Sequence, residues 1–122
     1  MFLGDLSGPD IKLWYRRVAL CVSPSLSEGF GLTPLEAMAS GAAAVTSRAG
    51  AYEQMIVPGV NGAIADTGNL EQLVAALEPL LDDPADLLAQ GVNARRLVLE
   101  RFSIDGEVAG IEAVYERVLA RA

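Results

Sequence analysis

Glu28-Gly29-Phe30-Gly31-Leu32-Thr33-Pro34-Leu35-Glu36 is the stretch on which the reading of this chain turns. Before it lies a short apolar run, Ala19 to Pro24, read as a buried strand. After it, the pattern reads as a short helix from Pro34 to Ser40, with Gly41 as its C-cap. Thr33 suits an N-cap, Pro34 the first helical position and Glu36 the third, so Thr33-x-x-Glu36 reads as a capping box. Pro34 also biases Thr33 away from the helical region, as an N-cap requires.

A strand, a Gly-containing loop and a helix N-terminus in that order predict an anion site. The first helical amides lack internal acceptors, and the helix dipole makes that end partly positive. Gly29 and Gly31 let a ligand approach the backbone closely. In open α/β sheets, ligands bind at this carboxyl edge of the strands. Neither G-x-x-x-x-G-K nor G-x-G-x-x-G is present, so the loop is not a standard nucleotide motif. Glu36 has two readings, as a capping-box partner and as an acceptor for a pair of vicinal hydroxyls such as those of a ribose. Glu28 has no capping role and is either a solvated loop charge or a site carboxylate.

Moving outward, Ala42 to Ser47 reads as a second apolar strand, and Arg48 to Glu53 as a second strand-to-helix loop beside the first. Gly50 turns its backbone, and a helix is expected from about Ala51. Arg48 is read first as a solvated arginine, with phosphate contact as the alternative, and Glu53 as a first-turn acid. Pro58 to Gly62 is turn chemistry leading into a strand at Ala63 to Ala65. Upstream, Met1 to Leu3 reads as a strand stub and Gly4 to Pro9 as a polar turn. Ile11, Trp14, Tyr15 and Val18 mark one helix face, closed by Arg16 and Arg17.

Downstream, Asn69 caps a helix with Gln72 three residues on, and Leu70, Leu73, Val74, Leu77 and Leu81 keep helical spacing. Pro79 should kink or weaken its end. Asp83 and Pro84 start a helix through about Leu99, with Gly91 a weak point. Phe102 is expected to plug the core. Ser103 starts a last helix with an apolar stripe of Val108, Ile111, Tyr115, Val118 and Leu119. Strand-helix alternation argues an α/β layer with a parallel sheet.

The nonapeptide E-G-F-G-L-T-P-L-E resembles the E-x7-E signature of retaining glycosyltransferases of family four, which have the GT-B fold. Ser23-Pro24-Ser25 before it and Glu36-Ala37-Met38-Ala39-Ser40-Gly41 after it fit the same pattern. With Leu13-Trp14-Tyr15-Arg16-Arg17 and Gly50-Ala51-Tyr52, the whole run is similar to bacterial lipopolysaccharide core mannosyltransferases. Ile104 stands where that family usually carries an aromatic.

The resemblance implies an α/β, Rossmann-like parallel sheet with flanking helices, part of the donor-binding domain of a GT-B fold. Residues 1–122 would be its carboxy-terminal part, with residues 84–122 a helical tail. It implies Glu28 as the catalytic residue, and Glu36, Gly29, Phe30, Gly31, Leu32 and Thr33 as donor-binding residues, with Gly50 on a bordering donor loop. Glu36 would take ribose hydroxyls, while Glu28 and the amides around Phe30, Gly31 and Leu32 orient hexose and diphosphate. The implied reaction moves mannose from GDP-mannose to a lipopolysaccharide core or related glycan, with no metal and no cofactor. The implied partner is an amino-terminal domain carrying the other half of the cleft, including diphosphate-gripping cations. Lys12 is the only lysine here and lies on the early helix. In this fold the last helix crosses back to the other domain, so its stripe would be a docking surface; the alternative is that it packs on its own sheet. Three other readings are a non-catalytic sugar-nucleotide-binding module, a docking fragment and a sugar-nucleotide epimerase.

Composition narrows the classes. Hydrophobic residues make up 52% of 122, too many for disorder. Nine basic against sixteen acidic residues give a net charge of −7, which disfavours nucleic acid and anionic lipid. No apolar run reaches the ~20 residues of a membrane span. The start of the chain does not resemble a secretory leader, since Met1-Phe2-Leu3 leads into Gly4 and Asp5. Cys21 cannot form an internal disulfide and reads as a structural thiol, which fits a cytoplasmic setting; the resemblance implies a parent enzyme in the cytoplasm, peripheral on the inner membrane face. The chain has no histidine, which argues against a zinc site or a Ser-His-Asp triad within it.

Overall fold

Ala43–Ser47 is a run of small and β-branched residues; in a strand its successive side chains point to opposite faces, and both faces are covered. The computed structural model describes residues 1–121. In chain order the elements are α1 Gly8–Tyr15, β1 Leu20–Ser23, α2 Leu32–Ala39, β2 Ala43–Ser47 and α3 Tyr52–Met55. They continue with β3 Gly62–Ala65, α4 Leu70–Asp82, α5 Pro84–Arg101 and α6 Ile104–Leu119. The strands pair in the order β1-β2-β3, all parallel, with Leu20 beside Ala43 and Ala44 beside Gly62. This is the α/β arrangement expected from the alternation.

All of β2 is buried. On one face Ala44 joins Met38 of α2, Tyr52 and Met55 of α3, and Ala94 and Val98 of α5. On the other face Ala43 and Val45 meet Leu80 of α4 and Leu87 of α5. β1 departs from the expected buried strand: it is half-buried and Val22 is exposed, because β1 is the sheet's open edge. Met1–Leu3 forms no strand; these residues have no ladder partner in the described sheet and are exposed. The first helix begins at Gly8, inside the expected turn, and ends before Arg16 and Arg17.

Local signals set the downstream helices. Asn69 Oδ1 accepts from the Gln72 amide at 3.0 Å. Asp83 Oδ1 accepts from the Ala85 and Asp86 amides at 3.1 and 3.0 Å, with Pro84 opening α5. Ser103 Oγ accepts from the Gly106 amide at 3.2 Å. Such caps each contribute about 0.5–2 kcal/mol. Buried Asn61 holds the Pro58–Gly62 turn, accepting from the Val57 amide at 2.7 Å and donating to the Met55 carbonyl at 3.0 Å. α4 continues past Pro79 to Asp82.

Gly91 is not a weak point but a contact point. A Cβ there would lie 2.2 Å from the Gly41 carbonyl oxygen, so the missing side chain lets α5 sit against the turn before β2. Phe102 is half-buried at the margin of the core rather than plugging it. α6 holds no buried residue, and Val108, Ile111, Tyr115, Val118 and Leu119 are all exposed. Of the two readings of that stripe, packing on its own sheet is therefore the one the structure removes.

Candidate functional site at the carboxyl edge of the sheet

Two strand-to-helix loops leave the sheet at one edge, as expected from the sequence. β1 feeds the loop through Glu28, Gly29 and Phe30 into α2. β2 feeds Arg48, Ala49 and Gly50 into α3. The loops touch: a Cβ on Gly50 would lie 2.8 Å from the Glu28 carbonyl oxygen and 2.9 Å from that of Gly29. Gly50 has φ +54.

The capping box does not form. Gly31 adopts a left-handed conformation, φ 98 and ψ 55, and is itself the N-cap of α2. Its carbonyl accepts the first helical hydrogen bond, from the Leu35 amide at 3.4 Å. The helix therefore begins at Leu32, Thr33 is already helical, and Pro34 sits third. Third place is tolerable because the first four helical N–H groups have no internal acceptor anyway. The sequence argument failed because it gave Pro34 the first position and overlooked a glycine able to take positive φ two residues before Thr33. Glu36 becomes the fifth helical residue, beyond reach of the N-cap amide. Its cap reading falls, and its carboxylate is exposed on the α2 surface.

Glu36 faces α1. With Lys12, Tyr15 and Ser40 it lines a groove of about 340 Å³. Burial, then a hydrogen bond to the Glu36 carboxylate, hold the Tyr15 phenol above its ordinary value, with the Thr33 hydroxyl opposing. Glu28 faces α3 instead. Its Oε1 accepts from the Gly29 amide at 3.1 Å, and its Oε2 accepts from the Tyr52 hydroxyl at 3.2 Å. The carboxylate is otherwise exposed. An ionised carboxylate offers about four lone-pair positions, so two remain for a ligand. The Gly29 amide, expected to be open to a ligand, is engaged with Glu28.

Phe30 and Leu32 direct their side chains away from this edge. Phe30 meets Phe102 edge-on, centroids 6.1 Å apart, and both Phe30 and Leu32 line a cavity of about 570 Å³ against the start of α6. What they can offer at the edge is main chain, beside Gly31 and Thr33 at the positive end of α2.

Sequence reasoning quoted Tyr52 only within the resembled run and gave it no place in the site. Tyr52 is fully buried, its hydroxyl lies 2.9 Å from Ser23 Oγ, and a Cβ on Gly31 would lie 2.1 Å from its Cε1. The available signal was an aromatic residue in an otherwise small-residue loop.

Arg48 is solvent-exposed, as read, and is also paired. It pairs with Glu53, and its Nε lies 3.2 Å from Asp66 Oδ1. Hydrogen bonds to Asp66 and then Glu53 raise the guanidinium further, and Gln72 with Arg48 lowers Asp66. Among the described residues, no cluster of three metal-ligating side chains occurs and no helix is long and apolar enough to cross a membrane.

Comparison with known proteins gives this geometry a context. The family model described as glycosyl transferases group 1 matches residues 1–97. The lipopolysaccharide core biosynthesis mannosyltransferase LpcC of Rhizobium leguminosarum bv. viciae is 50% identical over 119 residues, covering 98% of this chain and 33% of that protein. A solved carboxy-terminal domain of a group 1 glycosyl transferase, LpcC of Francisella tularensis, superposes with a TM-score of 0.74 at 34% identity. It covers 85% of this chain and 52% of that one. Anabaena Alr3699/HepE, solved with UDP-glucose, gives a TM-score of 0.77 at 25% identity over 99% of this chain and 32% of that one. The chain spans about a third of the length of the Rhizobium protein.

Proposed function

The chain belongs to the group 1 glycosyl transferases, and from that premise we propose that it supplies the ribose and sugar side of the donor site in a retaining hexosyltransferase. The fold is that of a GT-B donor domain. The proposed donor is GDP-mannose and the proposed acceptor a lipopolysaccharide core or related glycan. The mannosyltransferase name of the Rhizobium relative, half identical across nearly the whole chain, supports mannose.

The observation that carries the reading is the treatment of the two carboxylates around the start of α2. Neither is neutralised by an ion pair among the described residues. Glu36 is free of the capping role that would have explained it without a ligand, and both its oxygens can accept from the 2′- and 3′-hydroxyls of a ribose. Glu28 is held at one lone pair of each oxygen and open at the rest, suited to hexose hydroxyls. Between them, the free amides at the start of α2 point positive charge toward a diphosphate as it departs.

In this proposal Glu28 is the catalytic residue and works without metal or cofactor. Diphosphate-gripping cations and the acceptor site come from an amino-terminal domain. The enzyme works in the cytoplasm, peripheral to the inner membrane face. A nucleotide-binding module, a docking fragment and an epimerase are the outcomes against which it is tested. Residues 1–122 are incubated with radiolabelled GDP-mannose and core acceptor, alone and with the amino-terminal domain supplied in trans. Transfer only on mixing supports the proposal, because half a cleft cannot hold both reactants in attack geometry. Transfer by residues 1–122 alone contradicts the division of the cleft. Nucleotide binding that never leads to transfer supports the module, and isomerised donor without acceptor supports the epimerase.

A further inference from the structure

We propose that Tyr52 is a positioning residue for the donor sugar: buried beneath the first loop, it fixes the Glu28 carboxylate through its hydroxyl. The inference rests on the assignment of Glu28 to the hexose.

Proton counting gives the contact a direction. An ionised carboxylate only accepts, so the single phenolic proton of Tyr52 goes to Glu28 Oε2, 3.2 Å away. The Tyr52 oxygen must then accept from Ser23 Oγ at 2.9 Å. Ser23 Oγ, having given its proton, accepts in turn from Ser25 Oγ at 3.3 Å. The chain Ser25 to Ser23 to Tyr52 to Glu28 thus runs one way, from the end of β1 into the loop that β1 feeds. With all three contacts kept, reversing any link would take the phenolic proton away from Glu28 Oε2.

Packing fixes the phenol that carries this proton. Tyr52 is 0% exposed, wedged among Met38, Ala44 and Met55. Gly31 closes the space from above, since a Cβ there would overlap the ring at 2.1 Å. The ring therefore has no room to swing, whereas Glu28 is an exposed side chain on a loop with several rotatable bonds. A rigid buried donor on an exposed flexible acceptor is a device for holding one carboxylate rotamer ready. The Gly29 amide on Oε1 sets the other oxygen, so the plane of the carboxylate is fixed by two donors from different segments. Core packing alone would be served by phenylalanine; the hydroxyl is what requires this explanation.

The test is a double-mutant cycle in the complete transferase, with Tyr52→Phe, Glu28→Gln and both together, reading kcat and KM for GDP-mannose and the melting temperature. Tyr52→Phe keeps the ring and is expected to lower kcat on the order of tenfold, with donor KM little changed. In the Glu28→Gln background the same change should alter kcat less than about twofold, because the group it acts through no longer carries the charge. Should Tyr52→Phe fold poorly, Ser23→Ala interrupts the same chain one link earlier. It should show a smaller kcat loss that likewise vanishes with Glu28→Gln. Equal losses in both backgrounds, or unchanged kcat in Tyr52→Phe and Ser23→Ala, would overturn the positioning role. A wild-type enzyme that neither binds nor uses a sugar nucleotide overturns the underlying functional reading instead, and with it this inference.

Discussion

The loops after β1 and β2 occupy equivalent places, yet handle charge in opposite ways. Each leaves a strand of the parallel sheet, turns on a positive-φ glycine (Gly31 at 98° and Gly50 at 54°) and enters a helix. In the second loop Arg48 pairs with Glu53 and Asp66, and its carbonyl accepts from Thr67 Oγ1 at 2.7 Å. One guanidinium bridges the two carboxylates and ties α3 to the end of β3. In the first loop Glu28, and on the helix after it Glu36, have no basic partner among the described residues; Glu28 accepts from the Tyr52 hydroxyl, and Glu36 shares a groove with Tyr15. A tyrosine hydroxyl orients a carboxylate without cancelling its charge. The second loop is built as a brace, and the first is left able to take a ligand.

The sharpest way to break this contrast is to damage the first loop at its turn. Gly31→Val puts a branched side chain at φ 98 and into the Tyr52 ring. Turnover should fall on the order of a hundredfold as the loop and its amides shift. Normal turnover would remove the loop from the site. Glu36→Gln is the next step down. It should weaken donor binding by about ten- to a hundredfold, reflecting roughly 1.5–3 kcal/mol for charged hydrogen bonds. Because Glu36 does not cap α2, the melting temperature should hold; a clear drop with unchanged affinity would restore a purely structural role.

In the second loop the effects should be on stability. Gly50→Ala strains a left-handed residue by about 1–2 kcal/mol and presses on the Glu28 carbonyl, so melting should fall. Arg48→Ala should be milder still, since its pairs are solvent-exposed and screened by salt. Asp66 is held below its ordinary value by Gln72 and then Arg48, so its share of stability is present above the ordinary carboxylate range and lost as pH falls through its lowered value. The difference in melting between wild type and Arg48→Ala should shrink on acidification. Loss of donor affinity in Arg48→Ala would mean that the second loop is no mere brace.

The sequence was most informative where structure is local. Asn69, Asp83 and Ser103 announced their helices because a cap needs only amides two or three residues away. The strands of the parallel sheet were legible as apolar runs between turns. What escaped depended on distance or on a single dihedral angle. Thr33 looked like a cap because the positive φ of Gly31 cannot be read from its neighbours. Gly91 looked weak because its partner, Gly41, lies 50 residues earlier. Tyr52 was given no site role because its target, Glu28, lies 24 residues back across the sheet edge. Both glutamates were legible as residues of interest; which tyrosine each would meet was not.

The central claim divides the donor between two carboxylates, Glu36 on the ribose and Glu28 on the hexose. Calorimetric titration of the complete transferase with GDP and with GDP-mannose tests it most directly. Glu36→Gln should weaken both ligands alike, because both carry the ribose. Glu28→Ala should leave GDP affinity unchanged and lower turnover of GDP-mannose far more than its binding. Equal GDP affinity in wild type and Glu36→Gln, or GDP binding lost in Glu28→Ala, would contradict the division.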